Sequence, residues 1–171
     1  MILLNIGSNL DSIKGDRFFN LKKTLELIKS EKIEIIKKSS TYETPSYPNK
    51  KNPKFLNIGL IIKCNFSPEI LIKKFNKIEK NLQRTRGIKN QPRTCDIDLI
   101  DYDGKVINSK NLILPHSKAH LRNFVLYPIK EMSPNWIHPL LNKRIDFLIK
   151  KLSFKLRNEI TKIKEHVTIE S

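Results

Sequence analysis

The sequence predicts an α+β domain with the ferredoxin-like βαββαβ plan, and three observations support this. Four segments have the apolar or β-branched composition of strands, and two other segments space their apolar residues as amphipathic helices do. Their order along the chain is strand, helix, strand, strand, helix, strand, which folds into a mostly antiparallel sheet with helices on its faces. We expect one domain over residues 1–171, with a core over about 1–139 and a helical extension over about 143–171.

The first half of the chain contains three of these elements and a loop. Residues 2–6 are a short apolar strand, and residues 33–42 are β-branched and extended in character. Between them, residues 11–30 are predicted to form an amphipathic helix, with apolar residues three and four apart at Phe18, Leu21, Leu25 and Ile28. The prolines and polar residues over 45–54 mark a loop.

The second half begins with a long apolar strand over 55–65. Ser67-Pro68-Glu69 then starts a helix, with a capping hydroxyl, a proline at its first position and an acid in its first turn. The buried stripe of this helix is predicted to be Ile70, Leu71, Phe75, Ile78 and Leu82. A basic loop over 84–94 leads to a strand over 95–102, and Asp103-Gly104 turns the chain into a short return strand at 105–107.

The chain carries a net charge of +16 and has a pI of about 9.9, which has two interpretations. Nucleic-acid binding is one, but such a footprint should cluster on one face or arm. Here the lysines are spread along the whole chain among abundant Ile and Asn, a composition typical of AT-rich coding. We therefore expect no nucleic-acid partner, although a phosphate-rich substrate would be attracted by the positive field.

The two cysteines, Cys64 and Cys95, lie in apolar, strand-like segments and form no disulfide framework. We interpret both as reduced core thiols, which favours a cytoplasmic location. No apolar segment reaches the length of a membrane span, and the first residues are typical of a strand rather than a signal peptide. We therefore expect no membrane association.

Two acids in the last core strand, Asp96 and Asp98, are the most informative residues. Residues i and i+2 of a strand point to the same face, with Cα atoms about 6.6 Å apart, while Ile97 points to the core. Two carboxylates at that separation repel by roughly 3 kcal/mol at an effective dielectric of about 20, which bound Mg²⁺ would offset. The basic residues of the preceding loop would suit phosphate oxygens, and they are Arg84, Arg86, Lys89 and Arg93. The alternative is an exposed acidic strand face without function.

At this point the sequence resembles a known family. Residues 89–100 are similar to the signature of the 6-hydroxymethyl-7,8-dihydropterin pyrophosphokinase family. They read Lys-Asn-Gln-Pro-Arg-Thr-Cys-Asp-Ile-Asp-Leu-Ile and depart from the signature at Gln91. Further blocks match from about residue 2 to residue 139. They are Asn5-Ile-Gly-Ser-Asn-Leu, Tyr42-Glu-Thr-Pro, Phe55-Leu-Asn, Pro115-His116 and the segment from Arg122 to Pro128. The family fold is the ferredoxin-like arrangement predicted above.

The resemblance implies transfer of pyrophosphate from ATP to the pterin hydroxymethyl group, giving AMP and the pterin pyrophosphate in folate biosynthesis. It implies that Asp96 and Asp98 hold two Mg²⁺ ions, and that Arg84 and Arg93 close over the phosphates as catalytic residues. The ATP-binding residues that it implies are Arg86, His116, Arg122 and Glu79, the last by orienting the arginines. It also suggests a monomer. The alternative for the arginines is a solvated loop, and for Glu79 a surface pairing with Gln83.

The same resemblance implies a pterin pocket. Phe55 and Phe124 match the positions whose rings stack on the pterin, and Asn57 matches the amide that reads its edge. The loop that lines the pocket corresponds to Thr44, Pro45 and Tyr47. Without the resemblance, Phe55 and Phe124 would be interpreted as ordinary core residues.

Two departures from the family concern how tightly the site is sealed. No aromatic residue lies near Asn90, and Ser117 replaces a tyrosine that often follows the histidine. A zinc site at His116 and His120 would need further ligands that the sequence does not place beside them. The other histidines, His120, His138 and His166, are expected to pack or to face solvent.

Two other functions fit part of the pattern. A small RNA-binding module shares the βαββαβ plan but needs aromatic residues on its central strands, and residues 2–6 have none. A different metal-dependent nucleotidyl or phosphoryl transferase would use the same acids and arginines. Only the resemblance and the set Phe55, Asn57 and Phe124 indicate a pterin.

Overall fold

A computed structural model of the chain describes residues 1–84, 91–164 and 167. The elements follow in chain order, with a single 3₁₀ turn at Ala119–Leu121 before α3. They are β1 (Ile2–Ser8), α1 (Arg17–Ser30), β2 (Glu34–Lys38), β3 (Tyr42–Thr44), β4 (Phe55–Lys63), α2 (Pro68–Asn81), β5 (Asp96–Tyr102), β6 (Ile107–Asn108), β7 (Ile113–Leu114), α3 (Asn123–Met132), β8 (Ile137–His138), β9 (Lys143–Arg144), α4 (Ile145–Lys151), α5 (Phe154–Asn158) and β10 (Thr161–Lys162).

The main sheet is built on β1 and β4, which pair over their whole length from Ile2 opposite Ile62 to Ser8 opposite Leu56. Strand β5 pairs with the other edge of β1, while β2 and β3 both pair with β4, and β10 pairs with β3. Every one of these pairings is antiparallel. The predicted mixture of helices with an antiparallel sheet is confirmed.

Helices pack on both faces of this sheet, because successive side chains of each strand point to opposite faces. On one face, α1 and α2 cover strand residues such as Leu4, Ile58 and Ile97. On the other face, α3 and α4 cover Leu3, Ile61 and Ile100. The alternation along β1 from Leu3 to Leu4 therefore divides the core into two layers.

The N-termini of the two long helices are set by side-chain caps. Asp16 accepts a hydrogen bond from the backbone N–H of Phe19 at 2.8 Å, so α1 begins at Arg17 rather than near Asp11 as predicted. Ser67 caps α2 in the same way, with Pro68 at the first helical position, as the sequence predicts.

Helix α3 covers only part of its face of the sheet. It packs closely on Gly59, where a Cβ atom would lie 2.7 Å from both Met132 Cε and Pro128 Cβ. Toward the start of β4 and of β5 the sheet is less covered, and Phe55, Asp96 and Asp98 are partly exposed. This end of the sheet is therefore partly open on the α3 face.

Two regions differ from the sequence-based expectation. The predicted return strand over 105–107 is wrong, because the Lys105 N–H closes a tight turn onto the Tyr102 carbonyl and β6 then pairs with β7 rather than with β5. The extension contains two short helices, α4 and α5, but it then forms strand β10, and Val167 is buried against the core. Within the described residues, no helix has the length and apolar character to cross a membrane.

Candidate active site

Asp96 and Asp98 lie side by side on the open face of β5. Asp96 is opposite Gly7 of β1 and Asp98 is opposite Asn5, while Ile97 between them is buried in the layer under α1 and α2. Both acids are partly exposed, with about a quarter of each side chain accessible, 23% for Asp96 and 26% for Asp98. The predicted same-face geometry of the acids is present.

Three arginines neutralise these acids. Arg84 Nη1 lies 2.8 Å from Asp96 Oδ1, and Arg93 Nη1 lies 3.0 Å from the second oxygen of the same carboxylate. Arg122, immediately before α3, lies 3.1 Å from Asp98 Oδ2. Burial and the charge of Asp96 raise the pKa of Asp98, and the arginines oppose that rise only in part. The acids and the predicted phosphate ligands therefore form one cluster.

Glu79 contacts both Arg84 of this cluster and the strand that carries the acids. It lies near the end of α2, is 3% exposed, and accepts a hydrogen bond from the Ile97 N–H at 2.9 Å. The same carboxylate oxygen forms an ion pair with Arg84. Glu79 is thus buried between α2 and β5 and joins Arg84 to the strand that carries the acids, so its interpretation as a surface partner of Gln83 is wrong.

His116 lies at the Arg122 side of the cluster. Its backbone N–H donates to the Ile100 carbonyl at 2.9 Å, and its Nδ1 accepts from the Lys118 N–H at 3.2 Å. Burial, followed by the nearby charge of Arg122, lowers its pKa to about 4. The ring is therefore neutral at pH 7 and carries its proton on Nε2, where it can donate a hydrogen bond.

The residues predicted for the pterin lie next to the acids. Asn57 is opposite Gly7, is 2% exposed, and donates from its side-chain amide to the Thr44 hydroxyl at 3.1 Å. Phe55 lies two residues before Asn57 on β4, and its ring centre is 5.7 Å from the Arg93 guanidinium.

Three further predicted residues lie in different positions. The ring of Phe124 has the guanidinium of Arg122 at 5.4 Å. Pro45 is half-buried directly after β3. Tyr47 is 84% exposed, and the structure does not bring it into this cluster.

Sequence reasoning missed Asn9, which contacts both the segment before β5 and the loop after β3. This buried residue accepts a hydrogen bond from the Arg93 N–H at 2.7 Å, and its side-chain N–H groups donate to Ser46 Oγ and to the Pro53 carbonyl at 3.0 and 3.1 Å. It therefore ties Arg93 to the loop after β3. The only sequence signal is its place at the end of the Asn5-Ile-Gly-Ser-Asn block.

Asn5 was also missed. It is 4% exposed and faces Asp98 across the strand pair, and its Oδ1 has no hydrogen-bond partner among the residues that the structure describes. This buried oxygen adds a polar atom beside Asp98 on the same face of the sheet.

Some predicted residues lie elsewhere. Arg86, Lys89 and Asn90 fall outside the described residues, as does His166. His120 and His138 pack against each other with ring centres 5.5 Å apart. In the described part of the chain, no group of three or more His, Cys, Asp or Glu side chains could hold a metal ion, so a zinc site at His116 and His120 finds no support.

Comparison with known proteins identifies the family. The family model for 7,8-dihydro-6-hydroxymethylpterin-pyrophosphokinase matches residues 3–134. A 2-amino-4-hydroxy-6-hydroxymethyldihydropteridine pyrophosphokinase from Aquifex aeolicus is 37% identical over 142 residues, covering 83% of this chain and 86% of the relative. The chain belongs to this pyrophosphokinase family. Pyrophosphokinases are transferases, and this family uses ATP as co-substrate.

For other relatives of this family, the fraction of the relative's length that aligns with this chain varies. A pyrophosphokinase from Synechocystis is 32% identical and matched over 72% of its length, with 86% of this chain covered. The folic acid synthesis protein fol1 of Pneumocystis carinii is also 32% identical, but the 88% of this chain that aligns spans only 20% of that protein. This chain therefore corresponds to one part of the longer relative.

Solved structures of the pyrophosphokinase family share the fold. The crystal structure of wild-type Plasmodium falciparum HPPK-DHPS with pteroate superposes with a TM-score of 0.71 at 14% identity, covering 94% of this chain and 47% of that one. A second wild-type structure of the same protein gives a TM-score of 0.68 at 16% identity, with the same coverage of both chains. At these identities the likeness concerns the fold alone.

Replacing Glu79 tests whether it supports the acidic strand of this pyrophosphokinase. Glu79→Ala should lower the free energy of unfolding by about 3 kcal/mol, because it leaves the buried Ile97 N–H unpaired and leaves Arg84 only the partly exposed Asp96 as a partner. Urea denaturation at pH 7 measures this. In the control Glu26→Ala, which removes an exposed pair with Lys23, the loss should stay within about 0.5 kcal/mol. Equal losses would contradict a supporting role for Glu79.

The protonation of His116 gives a second prediction. Its imidazole should titrate near pH 4 by NMR in the ligand-free chain, against 6.5 for an ordinary histidine. Since the unfolded chain binds this proton more tightly, the contribution of His116 to stability should be lost as the pH falls from about 6.5 to about 4. Arg122→Gln should raise the pKa of His116. A pKa near 6.5 for His116 in the wild-type chain would contradict the burial of its imidazole.

Proposed function

We propose that the chain transfers a pyrophosphoryl group from ATP to 6-hydroxymethyl-7,8-dihydropterin, giving AMP and the pterin pyrophosphate in folate biosynthesis. One observation carries this proposal. Three arginines converge on two same-face acids, directly beside a buried amide and the ring of Phe55. The arginines and acids suit a triphosphate, and the amide with its neighbouring aromatic ring suits a flat polar heterocycle. Family membership supports the same pair of substrates.

We propose Asp96 and Asp98 as the ligands of two Mg²⁺ ions. Their oxygens are the donors that Mg²⁺ prefers, and two carboxylates suffice when substrate phosphates complete the coordination. Bound Mg²⁺ would offset the negative charge of the phosphate oxygens. In the absence of substrate the arginines already satisfy both acids, so we expect the metal to bind tightly only together with the nucleotide.

Arg84 and Arg93 are proposed to leave Asp96 for the phosphates when the metal is bound to the acids. Both guanidiniums lie within 3.0 Å of Asp96 and both belong to the segments that flank residues 85–90. Positive charge at this place stabilises the charge that develops on the transferred group and on the departing AMP. Arg86 is assigned to the nucleotide on the resemblance alone.

His116 and Arg122 are proposed to bind the nucleotide phosphates from the opposite side. Arg122 contributes permanent charge and His116 a neutral N–H donor. Glu79 serves the nucleotide through Arg84, which it holds beside β5.

The pterin is proposed to lie over the Phe55 end of β4. Asn57 would read the pterin edge with its amide, whose orientation is fixed by Thr44. Phe55 and Phe124 would stack on the two faces of the ring system, while Pro45 and Tyr47 line its entrance. Because Tyr47 is exposed in the absence of substrate, its role requires the loop to close over the pterin.

The fold can be described more finely. The four core strands lie in the order β5-β1-β4-β2, which supports the ferredoxin-like description, with β3 and β10 added at the β4 edge. We propose that residues 1–171 form a single catalytic domain that acts as a monomer on small-molecule substrates. The free thiols Cys64 and Cys95 support a cytoplasmic location.

Product analysis tests the proposed reaction. The chain is incubated with ATP, MgCl₂ and hydroxymethyl-dihydropterin, and nucleotides are separated by chromatography. AMP should form in proportion to the pterin pyrophosphate and only when the pterin is present. Formation of ADP, or release of pyrophosphate, would reject the proposal and favour another phosphoryl or nucleotidyl transferase.

Substitution of Asp98 tests the metal assignment. Asp98→Asn should lower the turnover rate by about 10³-fold, because it removes a charged oxygen ligand while keeping the size of the side chain. The AMP-formation assay measures the rate. The control Asp146→Asn, in an exposed pair with Lys130, should keep the wild-type rate. Normal activity of Asp98→Asn would remove Asp98 from the proposed metal site.

Substitution of Arg93 tests its catalytic role. Arg93→Ala should lower kcat by about a hundredfold and change the Kd for the pterin by much less, because its charge acts on the phosphates. Single-turnover kinetics and pterin titration measure the two quantities. Arg144→Ala, which removes an exposed arginine bonded to Asn135, should leave both unchanged. A larger loss in pterin binding than in rate would assign Arg93 to the pterin instead.

A further inference from the structure

Two strands carry proposed pterin-binding residues, and β3 is the shorter of them. It has only three residues, Tyr42–Thr44, and its last residue is Thr44. One edge of β3 pairs with β4, where Thr44 is opposite Phe55 and Tyr42 is opposite Asn57. Its other edge pairs with the two residues of β10. So short a strand needs further contacts to hold its position.

The position of β3 matters for the pterin because it controls Asn57. The Asn57 amide donates to the Thr44 hydroxyl at 3.1 Å, and both side chains are buried. A shift of β3 would remove this acceptor and let the amide rotate. The donor and acceptor that face the pterin edge would then lose their fixed orientation.

Glu131, near the end of α3, makes the contacts that hold β3. One carboxylate oxygen accepts hydrogen bonds from the Ser40 N–H at 3.1 Å and from the Ser40 hydroxyl at 2.8 Å. The other accepts from the Tyr42 hydroxyl at 2.7 Å, and Lys162 of β10 lies 3.5 Å from the carboxylate. Burial raises the pKa of Glu131, but the hydrogen bonds from Tyr42 and Ser40 outweigh it and the net pKa is lowered. The carboxylate is therefore charged at pH 7.

Helix α3 connects these contacts to the other side of the pocket. Phe124, the second proposed stacking ring, lies in its first turn, and Arg122 precedes it. Glu131 lies seven residues further on, about 10 Å along the same helix. The Glu131 side chain thus links the helix that carries Phe124 to the strand that carries Thr44.

We propose that Glu131 is a positioning residue for the pterin, holding β3 and α3 in the relative position that Asn57 and Phe124 require. This inference rests on the proposed function, since it assumes that the pocket takes a pterin. The hydrogen bonds of Glu131 go to Ser40 and Tyr42 rather than to a proposed pterin-binding residue, so it would act through those two residues. Lys162 and β10 contribute on the outer edge of β3.

The test compares Glu131→Ala and Glu131→Gln with Lys130→Ala. Lys130 is the neighbouring residue on α3 and pairs with Asp146 on α4, so it serves as the matched control. Titrations with hydroxymethyl-dihydropterin, in the presence of Mg²⁺ and a non-hydrolysable ATP analogue, give the Kd for the pterin. Titrations with the analogue alone give the Kd for the nucleotide. Amide hydrogen exchange over residues 40–44 reports on β3 independently of any substrate.

In Glu131→Ala the Kd for the pterin should rise by about tenfold, with the nucleotide Kd and kcat within about twofold of wild type. Exchange over residues 40–44 should become faster. Glu131→Gln keeps oxygen and size, so it should recover part of the pterin affinity, and Lys130→Ala should match wild type. A general loss of structure would instead raise both dissociation constants together.

Two outcomes overturn the inference, and they are distinguishable. If the wild-type chain binds the pterin and Glu131→Ala binds it equally well, Glu131 is no positioning residue and the proposed function stands. If the wild-type chain binds the nucleotide but no pterin, the proposed function fails and the inference fails with it.

Discussion

The site depends on placing two negative charges on neighbouring same-face positions of one strand. At this separation the carboxylates repel, and the fold tolerates them because guanidinium groups arrive from three directions. The end of α2, the loop before β5 and the segment before α3 each supply one arginine. Under the proposed metal assignment, Mg²⁺ would replace the arginines as the charge that offsets the two carboxylates.

Helices cover the two faces of the sheet around these charges to different extents. One face of the sheet is closed by α1 and α2 over a continuous apolar layer. The other face is closed by α3 only where Gly59 lets the helix approach, which leaves one end of the sheet accessible. A polar floor can exist there because Gly7 provides space beside Asn57 and Phe55, where a Cβ atom would lie 3.3 Å from each side chain.

Much of this arrangement could be predicted from the sequence, since it follows from local patterns. The alternation along β5 predicted the shared face of Asp96 and Asp98, and the Ser67-Pro68 pair predicted the start of α2. Long-range pairing could not be predicted. Nothing local indicates that Asn9 contacts Arg93 or that the C-terminal extension contributes a strand beside β3. These contacts depend on which elements the topology brings together.

The pairing of β10 with β3 has a consequence for how the chain is made. Glu43 and Tyr42 are synthesised early, whereas their partners Thr161 and Lys162 leave the ribosome only after every helix of the core. Until then β3 presents an unpaired backbone edge, the kind of surface on which other polypeptides assemble. The nascent protein is accordingly exposed to mispairing at β3 until β10 has been synthesised.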